Sequence, residues 1–263
     1  MPPVIPAAPD ARAEQVRELI VRAREEGMIV LTSLSAAELC MLGGPRHASF
    51  DELTAHAWLG LKDRQRRKLT ETSTADLVGR RLLIPDPAAR DPQDEEAYAL
   101  STELGVILAA RTRPSFLVIT EIIGARLRQP MLFALGDAQD PVQAMLLETP
   151  VAVPGSDPRP AAKLGPLGES YAYALGTRDW AAEYLADWLI RPAPSRPDVQ
   201  PGASRAAACL HPFREDGSAG YRVTVHGDGT TADVDTGDGE PVQTCDRDQL
   251  RVIMADLINT GLR

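Results

Sequence analysis

Thr177-Arg178-Asp179, running on to Ala186-Asp187-Trp188-Leu189-Ile190, recurs as Asp246-Arg247-Asp248, running on to Ala255-Asp256-Leu257-Ile258. The offset is constant, because 247 − 178 and 256 − 187 both give 69. In each copy a helix-capping residue and an Asp for the first turn follow short β-rich runs, so the spacing predicts a strand-strand-helix unit used twice. If the copies are equivalent, their buried helix faces align at that offset: Leu185 with Met254, Trp188 with Leu257, Leu189 with Ile258. The expected fold class is therefore α+β, an N-terminal helical region followed by two strand-strand-helix units in a quasi-two-fold sheet and helix architecture.

Five segments are expected along the chain. Residues 1–9 are Pro- and Ala-rich and read as disordered; 10–113 read as mainly helical; 114–190 as the first β-rich unit with its helix; 191–205 as a Pro-rich linker; and 206–263 as the second β-rich unit with a C-terminal helix. In the helical region, a helix from Asp10 stops at Gly27, and Ser35-x-x-Glu38 and Ser49-x-x-Glu52 are capping-box patterns opening two short helices. A further helix is predicted over 62–82 and another over 94–113, closed by Pro114. Apolar runs at 115–120, 131–135, 144–149, 171–175, 207–210, 221–226, 230–235 and 242–245 read as strands, with Gly227-Asp228-Gly229 as a hairpin turn.

Composition narrows the function classes. The 263 residues carry a net charge of −9 and 44% hydrophobic side chains, enough for a sizeable core and of the sign that repels bulk nucleic acid. Three cysteines, Cys40, Cys209 and Cys245, make no disulfide framework, which points to a reducing cytoplasm. The N-terminus lacks an export pattern, and no stretch approaches the ~20 apolar residues of a membrane span, so no membrane insertion is expected.

No catalytic constellation emerges. Cys209-x-His211 with His226 and Cys245 on neighbouring strands are metal-capable, but their spacing matches no usual zinc site, and buried cysteines are ordinary core residues. Asp233, Asp235 and Asp238 lack the positions of a calcium loop and read as a solvated turn. His47 and His56 sit beside no nucleophile, and no Gly-rich phosphate cradle follows a strand. Neither a cofactor, a metal nor a catalytic residue is predicted, and binding is the simplest role. One basic cluster stands out: Lys62, Arg64, Arg66, Arg67, Lys68, Arg80 and Arg81 would face phosphates in a winged-helix DNA-binding regulator. The competing reading is a solvated helix face, with Asp63 and Glu71 each spaced four residues from Arg67. Trp180, Tyr184 and Trp188 form an aromatic stripe at helical spacing, read as core packing before partner docking.

Leu34-x-x-x-Glu38-Leu39, then Leu77-Val78-Gly79-Arg80-Arg81-Leu82-Leu83 at a helix end, then Ala110-Arg111-Thr112-Arg113-Pro114 before the first strand, and the later helix with Trp180, occur in a characteristic order. In that order the chain resembles the EspG family, cytosolic chaperones of type VII (ESX) secretion in actinobacteria. The resemblance implies a quasi-two-fold α+β fold and binding of a helical secretion substrate of the PE–PPE or WXG type by the sheet and an adjoining loop. The Pro-rich linker is longer than the family pattern, and no motif carries a partner-binding residue over to this chain. The expected function is a non-enzymatic cytosolic protein-binding protein, a chaperone or adaptor for such substrates; the alternative is the DNA-binding regulator, with DNA a partner only in that case. The sequence fixes no oligomeric state.

Overall fold

A computed structural model describes residues 4–5, 9–43, 52–85, 97–112, 114, 116–122, 129–136, 143–151, 164–190, 206–212, 222–225, 231–235 and 241–260. The fold is α+β. The helices are α1 (Pro9–Glu26), α2 (Ala36–Gly43), α3 (Glu52–Leu59), α4 (Asp63–Gly79), α5 (Thr102–Thr112), α6 (Arg178–Ile190) and α7 (Arg247–Thr260). The strands are β1 (Val4–Ile5), β2 (Met28–Ser35), β3 (Leu83–Pro85), β4 (Tyr98–Leu100), β5 (Phe116–Ile122), β6 (Met131–Leu135), β7 (Ala144–Val151), β8 (Ser170–Gly176), β9 (Ala206–Pro212), β10 (Arg222–Val225), β11 (Ala232–Asp235) and β12 (Gln243–Cys245). Among the described residues, β1, β4 and β3 make a small sheet, and the remaining nine strands make a large one in the order β12-β11-β10-β9-β5-β6-β7-β8-β2.

The contacts divide the chain into two compact units that do not follow the five expected segments. The first takes Met1–Val21, Val30–Arg113 and Pro150–Tyr173, the second Arg22–Ile29, Pro114–Thr149 and Ala174–Arg263. Most of both β-rich stretches thus falls in one unit, with Pro150–Tyr173 of the first stretch assigned to the other. Val4 and Ile5, expected to be disordered, pair with Tyr98 and Ala99 in β4. The helix expected over 94–113 begins only at Thr102, since Tyr98–Leu100 pair with β3 and the Ser101 hydroxyl caps the new helix by accepting the Leu104 N–H at 3.2 Å. The second capping box, the Gly227-Asp228-Gly229 turn and the linker 191–205 lie outside the described residues; β10 and β11, which flank the turn residues, pair antiparallel.

In the first unit the Ser35 box forms as its spacing predicts. The Ser35 N–H and hydroxyl donate to Glu38 Oε2 at 2.6 and 2.9 Å, and the Glu38 N–H donates back to Ser35 Oγ at 3.2 Å. Helix α4 ends in a Schellman motif: Leu82 N–H reaches Leu77 O and Arg81 N–H reaches Val78 O, with Arg81 at φ 59 in the left-handed position that glycine usually fills. Gly27 ends α1 in the same left-handed conformation, at φ 79.

In the second unit the repeat is larger than a strand-strand-helix. Four strands adjacent in the sheet, β5 to β8, lead into α6, and four more, β9 to β12, lead into α7. The first strands of the two copies pair antiparallel, Phe116 opposite Pro212 through Ile122 opposite Ala206. Both helices pack on one sheet face, over Val118, Leu132, Ala134, Met145, Leu147, Ala208, Leu210, Ala232 and Val234. Residues at the offset of 69 share fates. Ala181 and Leu250, Leu185 and Met254, and Leu189 and Ile258 are all buried. Thr177 Oγ1 accepts the Trp180 N–H at 3.2 Å, and Asp246 Oδ1 accepts the Gln249 N–H at 2.9 Å. Arg178, first residue of α6, donates to Asn259 in the last turn of α7 at 2.8 Å, while Arg247, first residue of α7, meets Asp187 near the end of α6 at 2.5 Å. Such reciprocal contacts are those of an isologous interface.

The pair Trp188 and Leu257 departs from this pattern. Leu257 is buried, whereas Trp188 is half-buried with Trp180 and Tyr184, whose rings lie 5.9 Å apart. The stripe packs against the rim of the core, and Gly176 makes room for it: a Cβ there would meet Trp180 Cε3 at 2.2 Å.

Candidate functional site

The strand alternation in the second unit assigns the other sheet face residue by residue. Ladder partners share a face, so Leu117, Phe133 and Leu146 form one row on the side away from α6 and α7, and Ile119, Cys209 and Asp235 belong to another. A third row holds Ala207, Asp233 and Thr244. Over β6 and β7 this face is closed: Phe133, Leu146 and Ala144 are fully buried. From Ile119 on β5 toward β11 and β12 it opens in part, with Ala207 of β9 still buried. Ile119 is 37% exposed, Cys209 and Asp233 are half-buried, and Asp235 and Thr244 are exposed. The Thr244 hydroxyl donates to Asp233 Oδ1 at 2.6 Å, which ties the two outer strands together on this face. The described side chains of this face are apolar at Ile119 and Cys209 and acidic at Asp233 and Asp235, a form suited to an amphipathic partner with basic residues along one side. The alternation Ala232-Asp233-Val234-Asp235 carried this signal in the sequence, but an open face is visible only once the neighbouring strands are placed.

The metal-capable set does not assemble. Cys245 belongs to the helix-side core, with its thiol on Ala232 O at 3.2 Å, whereas Cys209 lies on the opposite face. Opposite faces of one sheet cannot ligate a single ion. Burial, then the nearby Asp246 and Asp233, push the Cys245 thiol up and keep it protonated. His211 follows in β9, its backbone paired with Leu117, and His226 and Asp238 lie outside the described residues. Among the described residues no three His, Cys, Asp or Glu side chains group as a metal site would. His56 is exposed and His47 lies outside the described residues.

The basic residues divide into two groups. Arg66 caps the end of α3, donating to Leu59 O at 3.3 Å and Leu61 O at 3.1 Å, and its acidic neighbour is Asp63, at 3.8 Å, where the spacing had paired Asp63 with Arg67. Arg80 joins the nearly buried Glu38, Asp76 Oδ2 at 2.9 Å and Ser33 O at 2.6 Å. These two guanidinium groups hold the fold of the first unit. Arg64, Arg67, Lys68 and Arg81 are exposed, the first three on one side of α4.

No helix among the described residues is long and apolar enough to cross a membrane. No protein-family model, no curated protein and no solved structure matches the chain.

Proposed function

We propose that this chain is a non-enzymatic protein-binding protein that docks a helical partner on the open sheet face around Ile119, Cys209, Asp233 and Asp235. The observation that carries the reading is the contrast within one sheet: the face away from α6 and α7 is filled over β6 and β7 and partly exposed from Ile119 of β5 to Asp235 and Thr244 of β11 and β12. The resemblance to the EspG family gives the partner its class, a helical type VII secretion substrate, and the compartment its name, the cytosol. A chaperone or adaptor needs no catalytic residue, cofactor or metal, and none is assigned. Co-expression with WXG-type and PE–PPE-type substrates of an actinobacterial host should give a complex that survives size-exclusion chromatography. Ile119→Asp and Cys209→Arg should abolish it while leaving the melting temperature of the free protein unchanged. Absence of any complex, or indifference to both substitutions, would end the reading.

A second reading retains support from one feature. Helices α3 and α4 are joined by the three residues Gly60-Leu61-Lys62, and β3 and β4, which pair antiparallel, come after α4. This is the element order of a helix-turn-helix with a trailing wing, and Arg64, Arg67 and Lys68 stand near the start of the second helix. A DNA-binding regulator built this way would bind with a steep salt dependence. Charge reversal of Arg64, Arg67 and Lys68 should abolish a mobility shift; Arg66 and Arg80 are unsuitable targets because they support the fold. No shift at low salt would exclude the second reading.

A further inference from the structure

The two copies of the repeat differ at their outer edges. In the first copy the last strand, β8, is flanked by β2: Thr177, just after β8, donates its N–H to Gly27 O, just before β2, at 3.2 Å. In the second copy the last strand, β12, pairs with β11 on one side, and no strand among the described residues lies on the other. Asp246 stands where Thr177 stands, 69 residues on, but its N–H is met by the chain's own Gln249 Oε1, at 3.0 Å, the reciprocal half of a capping box with the Gln249 N–H on Asp246 Oδ1. An exposed glutamine thus takes the hydrogen bond that an added strand supplies in the first copy.

We propose that the outer edge of β12 accepts an extended strand from a partner protein, antiparallel to β12 and displacing Gln249 from the Asp246 N–H. By equivalence with Thr177, whose N–H reaches Gly27 O, the Asp246 N–H is assigned to the outer side and, by strand alternation, the Thr244 N–H and carbonyl with it, so main-chain bonds supply the affinity. Electrostatics specify the occupant. Asp246 and Asp248 are exposed at the end of the edge, and Arg247 between them is engaged by Asp187, Asp248 and Glu183. The strand that fits has alternating apolar residues and basic residues at its N-terminal end, which the antiparallel arrangement brings beside Asp246 and Asp248. This site is the main-chain edge of β12, adjoining the open sheet face, and does not depend on the helical-partner reading.

The probe is a peptide of residues 27–35 of this chain preceded by two lysines, since those residues fill the equivalent edge in the first copy. It should bind the full chain and slow amide hydrogen exchange at residues 243–246. Gln249→Ala should tighten binding about threefold to tenfold, by releasing one donor. Thr244→Pro should abolish binding; proline is tolerated at an edge position whose N–H faces solvent. The same peptide N-methylated at alternate nitrogens should not bind, a result that leaves the protein's own fold untouched. Equal binding by the methylated peptide, protection away from β12, or weaker binding by Gln249→Ala would overturn the proposal. So would a dimer of this chain lost on Thr244→Pro, which would assign the edge to a second copy. The helical complex should be unaffected by Gln249→Ala and by N-methylation of the edge peptide, so failure of one reading does not resemble failure of the other.

Discussion

At the scale of single residues, the side chain that decides most in the first unit is Glu38. It is 4% exposed, yet it takes both Ser35 donors and the Arg80 guanidinium, so one carboxylate caps α2 and binds the end of α4. Removing Arg80 leaves that carboxylate buried without its cation and releases Ser33 O and Asp76. Because the guanidinium is itself about a third exposed, Arg80→Ala is expected to cost about 1–3 kcal/mol, measured by denaturant unfolding. The pH response has a definite sign. Burial raises the Glu38 carboxyl above its ordinary value of 4.5, outweighing the Ser35 N–H, Arg80 and the Ser35 hydroxyl, which pull it down. A folded carboxyl with a raised value contributes stability that is complete below the unfolded value and lost as pH rises through the folded one. Glu38→Gln, which does not titrate, should therefore gain on the wild type as pH rises from below 4.5 toward neutrality. A melting-temperature difference that is flat or falls over that window would show that the hydrogen bonds and Arg80 prevail over burial. Arg80 illustrates the limit of residue-level reading: in the sequence it belongs to a basic cluster, and only the fold brings Ser33, Glu38 and Asp76 around it.

At the scale of elements, the helices α6 and α7 have the clearest sequence origin. The equivalent caps Thr177 and Asp246 differ in how their own N–H is met, by Gly27 in one copy and by Gln249 in the other. A cap contributes about 1 kcal/mol and a buried leucine several times that. Leu257→Ala is accordingly expected to cost about 2–5 kcal/mol, and Asp246→Ala about 1 kcal/mol, by chemical denaturation. Equal costs, or a larger cost for Asp246→Ala, would mean that α7 is held by its end and not by its buried face. The repeat was legible because helix caps and 3.6-residue periodicity are local: Thr177, Asp246, Leu185 and Met254 advertise their roles through neighbours a few positions away. The Ser35 box and the Gly27 stop were legible for the same reason. Strand partners were not. That β5 pairs with β9, and that Cys209 and Cys245 fall on opposite faces, depends on registers between residues far apart in sequence. The open face around Ile119 was illegible on the same ground, and β4 was lost because Tyr98–Leu100 have helix-compatible spacing that pairing with β3 overrides.

At the scale of the whole molecule, the described parts of the two copies contribute to one buried core. Ala208, Leu210, Ala232, Val234, Leu250, Met254 and Ile258 of the second copy share a buried cluster with Val118, Leu132, Met145, Ala181, Leu185 and Leu189 of the first. A fragment of residues 206–263 would keep four short strands and one helix, but β9 would lose its partner β5 along seven residue pairs. The inner faces of α7 and β9 would meet water, and so short a chain buries too little apolar surface to offset its conformational entropy. The fragment is therefore expected to show no cooperative thermal transition by circular dichroism, whereas in the full chain α6 and α7 should exchange their amides in one unit. This outcome distinguishes a shared core from two modules on a tether. A fragment that melts cooperatively, or an α7 that exchanges independently of α6, would mean that each copy holds its own core. The reciprocal contacts of Arg178 with Asn259 and of Arg247 with Asp187 would then decorate an interface that the fold does not need.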